Sequence, residues 1–285
     1  MAIEYNIEYI SENHYFRFHN KKETYKHEDE KVLVSHAHLL YEIIYLEEGE
    51  LSCIIEGKIY RLKKGDILLI RANDFHVINI ATNVYTRKVI QFFPTFLPLL
   101  PEQRSDLLRP YNEYNKNFDS VIPSNLVSLY GLDKFFEKIE GSLQTTQKEL
   151  ACAIYTMNLL LEINHLFSLP SSQPNFTYTS AIVKQIIEYI DEHLTLKITL
   201  DDLQDALHLS KFYISHLFKS VMGTTLAHYI MEKKIRYAEK LISEGVSPTD
   251  AATTVGYNYS NFYINYKKIT HTVPSNTKIG GFKID

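Results

Sequence analysis

The hydrophobic periodicity of this chain changes character once, and that change limits it to a protein of two structural halves. From about residue 32 to residue 93, the β-branched and aromatic runs "YEIIYL", "LSCII", "KIYRL" and "DILLIRA" are broken by the turn signals "EEGE", "EGK" and "KKGD". Short apolar runs punctuated by glycine turns predict strands of an antiparallel barrel or sandwich. After "FFPTFLPLLP" the apolar residues recur at helical spacing in "LYGLDKFFEKIEGSL" and "QKELACAIYTMNLLLEINHLF". Leu150, Ile154, Met157 and Leu161 form one stripe there, with Ala153, Leu160 and Phe167 nearby. The Pro/Ser-rich "SLPSSQPNFTYT" reads as a linker. The expected fold class is therefore α+β: an antiparallel β-barrel or sandwich over 1–110, a helical segment over 111–167, a linker over 168–179 and an all-helical domain over 180–285.

Composition narrows the class. With 45% hydrophobic and 22% charged residues in 285, the chain has the make-up of a soluble globular protein. No apolar run approaches the ~20 residues of a membrane span. The start, "MAIEYNIEYISENHYF", lacks the basic and apolar regions of an export signal. Cys53 and Cys152 stand in apolar contexts, "LSCII" and "LACAI", that suit buried thiols, so the expected location is cytoplasmic. The formal net charge of −4 does not by itself suggest nucleic-acid binding, but cations bunch in the C-terminal third, at Lys233, Lys234 and Arg236 and at Lys267 and Lys268.

The last hundred residues repeat one design. "SAIVKQIIEYIDEHL" is an amphipathic helix with Ser180 at its N-cap. "TLDDLQDALHLSKFYISHLFKSVMG" splits at "LHLS" into two short helices, Ser210 capping the second, and the long helix "TLAHYIMEKKIRYAEKLISEG" stops at Gly245. "SPTDAATTVGYNYSNFYINYKKI" repeats helix, turn, helix, with Ala251 and Ala252 as the small contact and Gly256 in the turn. The first unit lacks a turn glycine and carries Gln204 at the small-residue position.

Two such units joined by one helix resemble the DNA-binding domain of the AraC/XylS family of bacterial transcription regulators. The resemblance rests on "LSKFYISHLFKSVMG", "HYIMEKKIRYAEKLI" and "VGYNYSNFYINYKK…TVP" and spans about residues 182–282. It implies two recognition helices in successive major grooves of double-stranded promoter DNA, about one turn (~34 Å) apart. Carried over, it assigns Phe212, Ser215 and His216 to base edges and Lys211 and Lys219 to phosphates, with Ile214, Leu217 and Phe218 as core. In the second unit it exposes Ser260, Asn261, Tyr263 and Ile264, sets Lys267 and Lys268 on phosphates and buries Phe262 and Tyr266. The family's signature glycine is His271 in this chain, and the turn before Ser260 is one residue short. The second helix has no Arg or Gln at a base-facing position, so it is expected to anchor through phosphates and thymine methyls.

With that resemblance, the N-terminal strands look like the cupin barrel many such regulators use as a sensor. "SHAHLLYE" supplies His36, His38 and Glu42, and Gly65 and His76 follow in "KKGDILLIRANDFHVIN". Three histidines and a carboxylate suit Mn, Fe, Ni or Zn. Sensory barrels of the family commonly keep such residues without a metal, so two other readings stand beside a metal site. In one, His36, His38, Glu42 and His76, with Tyr41 or Tyr45 stacking, line a pocket for a small-molecule effector such as a sugar; in the other they form a hydrogen-bond cluster. The effector pocket is the preferred reading, with no metal and no cofactor required. The resemblance further implies a homodimer through the helical segment, contact with RNA polymerase and no membrane partner. A metal-binding cupin acting as sensor or enzyme is the alternative. No nucleophile–base pair or phosphate-binding glycine loop is present in the sequence, and a tandem helix-turn-helix has no task in a small-molecule enzyme.

Overall fold

The computed structural model describes residues 2–24, 36–112, 120–168, 176–178, 180–270 and 272–276. Its architecture is α+β, with antiparallel sheets in the N-terminal part and a helical C-terminal domain. Among the described residues, ten strands form two sheets: β1 (Ala2–Ile10), β2 (Phe16–Thr24), β3 (Tyr41–Glu48), β4 (Glu50–Ile55), β5 (Lys58–Lys63), β6 (Ile67–Ile70), β7 (His76–Ile80), β8 (Val84–Phe92), β9 (Val121–Ile122) and β10 (Phe176–Tyr178). One sheet runs β1-β2-β8-β3-β6-β9 and the other β10-β5-β4-β7, so hydrogen bonding divides the barrel into two facing sheets. Between them lie Ile44, Leu46, Cys53, Tyr60, Leu68, Ile78, Tyr85 and Val89. Gly49 makes the β3–β4 turn at φ 95°, where a Cβ would sit 2.5 Å from the Thr82 hydroxyl and 2.6 Å from the Val84 carbonyl.

The β1–β2 hairpin extends the sheet beyond the strands anticipated from residue 32 onward. Its signal is in the sequence, since "AIEYNIEYI" alternates Ile and Tyr with polar residues. On the outer face of the larger sheet pack α1 (Pro101–Leu107), α2 (Arg109–Asn112), α3 (Ser124–Tyr130), α4 (Asp133–Ser142) and α5 (Lys148–Ser168). Phe16, Phe18, Ile43, Ile90 and Phe92 meet Leu132, Phe136 and Ile139 and the α5 residues Cys152, Leu159 and Ile163 there. At 21 residues α5 is long and apolar enough to cross a membrane, contrary to the sequence expectation. Its fully buried stripe on the sheet gives that apolarity a core role. The opposite stripe, Leu150, Ile154 and Leu161, is exposed. Both cysteines are buried thiols.

Of the expected linker, residues 169–175 and 179 lie outside the described residues, while 176–178 form β10 on the edge of β5. The helical domain comprises α6 (Ala181–Glu192), α7 (Leu200–Leu207), α8 (Lys211–Met222), α9 (Leu226–Ser243), α10 (Pro248–Thr254) and α11 (Tyr259–Thr270). Ser180, Thr199, Ser210, Thr225 and Ser247 each cap a helix by accepting from its first-turn N–H groups. The turn between α7 and α8 contains no glycine; His208 takes the left-handed conformation there, at φ 55°. Gly256 does so in the second unit at φ 75°. The first unit shares one core with the smaller sheet: Ala37, Ile54, Phe75 and Val77 pack with Val183, Ile187, Ile214, Phe218 and Tyr229. The second unit has its own core, in which Ile235, Ala238, Ala251, Ala252, Phe262 and Tyr266 meet.

Candidate effector and DNA-binding sites

The histidines are gathered by one backbone bridge and one strand start. His36 and His76 exchange main-chain hydrogen bonds of 3.1 and 3.0 Å, which sets their rings 4.4 Å apart. Two residues on, the His38 ring lies 5.2 Å from that of His76. One ligand atom from each of the three histidines falls within 4.8 Å of the other two. Glu42, on the inward face of β3, points Oε2 at the group, 2.9 Å from His38 Nε2 and 3.7 Å from His76 Nε2.

Main-chain carbonyls fix two of the rings. His38 Nδ1 lies 2.9 Å from the Leu40 carbonyl and His76 Nδ1 3.0 Å from the Asp74 carbonyl, so each donates from Nδ1. The Nε2 atoms then face the Glu42 carboxylate, and the Gln91 amide approaches His38 Nε2 at 3.4 Å. Burial alone would push the Glu42 carboxyl up. The hydrogen bond and charge of His38, aided by His76 and Arg87, override burial and hold Glu42 well below the usual carboxylate range. Burial drives His76 down to about 3 against the pull of Glu42.

Tyr41 and Tyr45 are not part of this cluster. Successive strand residues face opposite sides of a sheet, and both rings pack on the helix side. Tyr41 stacks on Phe92 at 5.8 Å and meets Tyr111 edge-on at 4.8 Å. Tyr45 leans on Phe136. Tyr41 instead lines a cavity of about 840 Å³ between the two domains, with Arg17, Arg71, Phe93, Lys233 and Arg236.

Around this cavity the domains are tied by buried polar contacts that the sequence reading did not identify. The Phe75 N–H donates to Glu56 Oε1 at 2.8 Å, and the Tyr229 hydroxyl donates to Glu56 Oε2. Lys233 pairs with Glu56 at 3.2 Å and Asp191 at 2.9 Å. Burial disfavours the Lys233 ammonium, but those carboxylates more than offset it and raise its pKa. Between the two histidines, Ala37 donates its N–H to Glu232 Oε1 at 3.3 Å and accepts at its carbonyl from Arg236 Nη2 at 2.8 Å. Glu232 and Glu239 are nearly buried on α9, and charged residues on the core-facing side of an amphipathic helix were the available sequence signal.

In α8, Ile214 and Phe218 are fully buried, while Phe212 (81% exposed), His216 and Lys219 face solvent and Ser215 is half-buried. Lys211 pairs with Asp201 of α7. In α11, Phe262 and Tyr266 are fully buried, and Ser260, Asn261, Tyr263, Ile264, Lys267 and Lys268 are exposed. Asn258 accepts from the Asn261 N–H at 2.8 Å and fixes the start of α11. Tyr213, 45% exposed, adds an aromatic to the α8 surface that the sequence reading omitted. His271 lies outside the described residues.

Comparison with known proteins agrees with this division. A model described as an AraC-like ligand binding domain matches residues 24–154, and one described as a helix-turn-helix domain matches residues 203–278. The chain is 26% identical over 226 residues to the helix-turn-helix-type transcriptional regulator YbfI of Bacillus subtilis, covering 79% of this chain and 78% of that one. It is 22% identical over 236 residues to the transcriptional activator RhaS of Escherichia coli, covering 80% and 81%. Among solved structures, ToxT of Vibrio cholerae aligns over 91% of this chain and 95% of its own at 12% identity, with a TM-score of 0.36.

Proposed function

The chain belongs to the AraC family of transcription regulators, and on that premise we propose that it reads promoter DNA through α8 and α11 under the control of a small molecule bound by its N-terminal domain. The observation that carries the DNA-reading part is the division of the two helices. Each buries one side in a separate core, Ile214 and Phe218 in α8 and Phe262 and Tyr266 in α11, and leaves polar and basic side chains exposed on the opposite side. Phe212, Ser215 and His216 supply base contacts, and Lys211 and Lys219 phosphate contacts. Ser260, Asn261, Tyr263 and Ile264, with Lys267 and Lys268, anchor the second unit.

For the effector, the cavity that Tyr41 and Arg71 share with Lys233 and Arg236 offers room and a lining rich in charged and polar groups, with Arg17, Asp74, Glu239 and Lys240 beside the apolar Leu39, Phe93 and Pro94. A ligand there touches both domains and can favour one mutual arrangement over another. His36, His38, Glu42 and His76 do not line that cavity; they would offer a ligand a separate polar group on the opposite face of β3 from Tyr41. The exposed α5 stripe is the proposed homodimer surface, and DNA-bound dimers would meet RNA polymerase in the cytoplasm. The reading is of a binding protein without an enzymatic reaction. Selection of genomic fragments by the full chain tests it. The expected result is a duplex site whose affinity falls steeply between about 50 and 200 mM salt; the absence of salt-sensitive duplex binding would overturn it.

A further inference from the structure

Neither reading helix contains arginine, aspartate or glutamate: α8 is "KFYISHLFKSVM" and α11 is "YSNFYINYKKIT". In the major groove, guanine is singled out by Arg or Lys and cytosine by an acid that accepts from its amine. Only lysines remain for that task, and their positions suit another. Base edges meet the N-terminal residues of a recognition helix, whereas Lys219, Lys267 and Lys268 lie in the last turns, where phosphates are the nearer partners. Lys211, at the start of α8, is held by Asp201 of α7.

What these surfaces offer is the chemistry of an A·T pair. Asn261 stands in the first turn of α11, where its backbone N–H donates to Asn258 Oδ1 and its own side chain is exposed. Among the described residues nothing else engages that carboxamide. Its Oδ1 can accept from adenine N6–H while Nδ2 donates to N7, the bidentate match that selects adenine. Ile264, 64% exposed and three residues on, is its neighbour on the helix surface. Three residues rise about 4.5 Å, close to the base spacing of about 3.4 Å, so the two side chains reach adjacent pairs. An apolar side chain in this groove meets the thymine C5-methyl. In α8 that part falls to Phe212, 81% exposed, whose ring stacks on His216 with centroids 6.0 Å apart. We propose that the operator is A·T-rich in both half-sites, with α11 reading an adenine through Asn261 and the adjacent thymine methyl through Ile264, and α8 a thymine methyl through Phe212. The second unit is then a base reader as well as an anchor. Base identity rests on the reading of α8 and α11 as the DNA reader, and the two fail separately.

The experiment selects duplexes from a random-sequence pool with the full chain at fixed salt. Two constrained blocks about 10 base pairs apart are expected, with A·T pairs at the most constrained positions. Replacing the adenine read by Asn261 with guanine should weaken the wild-type chain about 5–150-fold and Asn261→Ala hardly at all. At the same position 7-deazaadenine, which lacks only the N7 acceptor, should weaken the wild-type chain and not the variant. Uracil in place of thymine removes one methyl and should weaken the wild-type chain several-fold, leaving Ile264→Ala unmoved in one half-site and Phe212→Ala in the other. These side chains are exposed, so the variants should keep the wild-type unfolding midpoint. Constrained G·C pairs in both half-sites, or undiminished discrimination by Asn261→Ala, overturns the base assignment while leaving DNA reading intact. Indifference of the wild-type chain to uracil overturns the methyl contacts. A chain that never shows salt-sensitive duplex binding removes the proposed function, and the base assignment with it.

Discussion

Arg236 reaches across 199 residues of sequence to donate from Nη2 to the carbonyl of Ala37 at 2.8 Å, and Glu232, one turn earlier on α9, accepts from the N–H of the same residue. Removing Arg236 leaves the Ala37 carbonyl and two nearly buried carboxylates, Glu232 and Glu239, without their cation. Arg236→Ala is expected to cost about 1–3 kcal/mol, read as a lower midpoint in urea unfolding. An unchanged midpoint would show that the contact does not hold the domains together.

The surface of α8 supports a second expectation. His216→Ala and Phe212→Ala remove exposed side chains and should leave unfolding unchanged while weakening duplex binding by about 1–3 kcal/mol at a specific site. Lys219→Ala should weaken binding evenly across sequences and lower the salt slope by about one. Lys211→Glu should weaken binding further, since it also sets two acids together at Asp201. Wild-type affinity in all four variants would remove α8 from the interface.

Much of this was legible in the sequence because it follows from local rules. The 3.6-residue period separates Ile214 and Phe218 from Phe212 and His216, and cap chemistry marks Ser180 and Ser210. What was not legible depends on contacts distant in sequence. β10 is three residues whose strand conformation is supplied by the edge of β5, so nothing in the Pro/Ser-rich composition announces it. The placement of Tyr41 is a different case. Period-two alternation already separates it from Glu42, so the two residues cannot line one pocket on one face. The break at "LHLS" was legible, but not that His208 takes the left-handed conformation, which is usually left to glycine or asparagine.

Lys234 offers a test inside the helical domain. Its buried ammonium donates to the Leu196 carbonyl at 2.5 Å and the Val255 carbonyl at 2.7 Å, and burial lowers its pKa. It thereby ties the α6–α7 connection to the residue preceding Gly256. Lys234→Met keeps the chain length of the side chain and strands both carbonyls, at a cost of about 1–3 kcal/mol. Thermal unfolding should show the loss, and equal stability would mean that water replaces the ammonium.

The α5 stripe bears on assembly. Leu150, Ile154 and Leu161 are 53, 41 and 57% exposed on a helix whose other side is fully buried. Charging the stripe should abolish self-association without touching the core, so Leu161→Glu is expected to sediment as a monomer where the wild-type chain sediments as a dimer. A wild-type monomer, or a Leu161→Glu dimer, would move the interface elsewhere.

Acid should weaken the fold through His19. Burial, with the Arg87 guanidinium acting in the same direction, pushes its pKa down to about 4 from an ordinary value of 6.5. Above 6.5 the imidazole is neutral in both folded and unfolded chains and contributes no pH dependence. As pH falls from 6.5 toward 4, the unfolded chain takes up the proton first, and stability is lost across that window. The loss should approach about 2–3 kcal/mol, since each pKa unit is worth about 1.4 kcal/mol and partial solvent access takes a share. His19→Asn should remove this component, so the difference in unfolding free energy between the two proteins should change sharply between pH 6.5 and 4 and stay flat above pH 7. A constant difference throughout would mean that the folded chain protonates His19 as readily as the unfolded one.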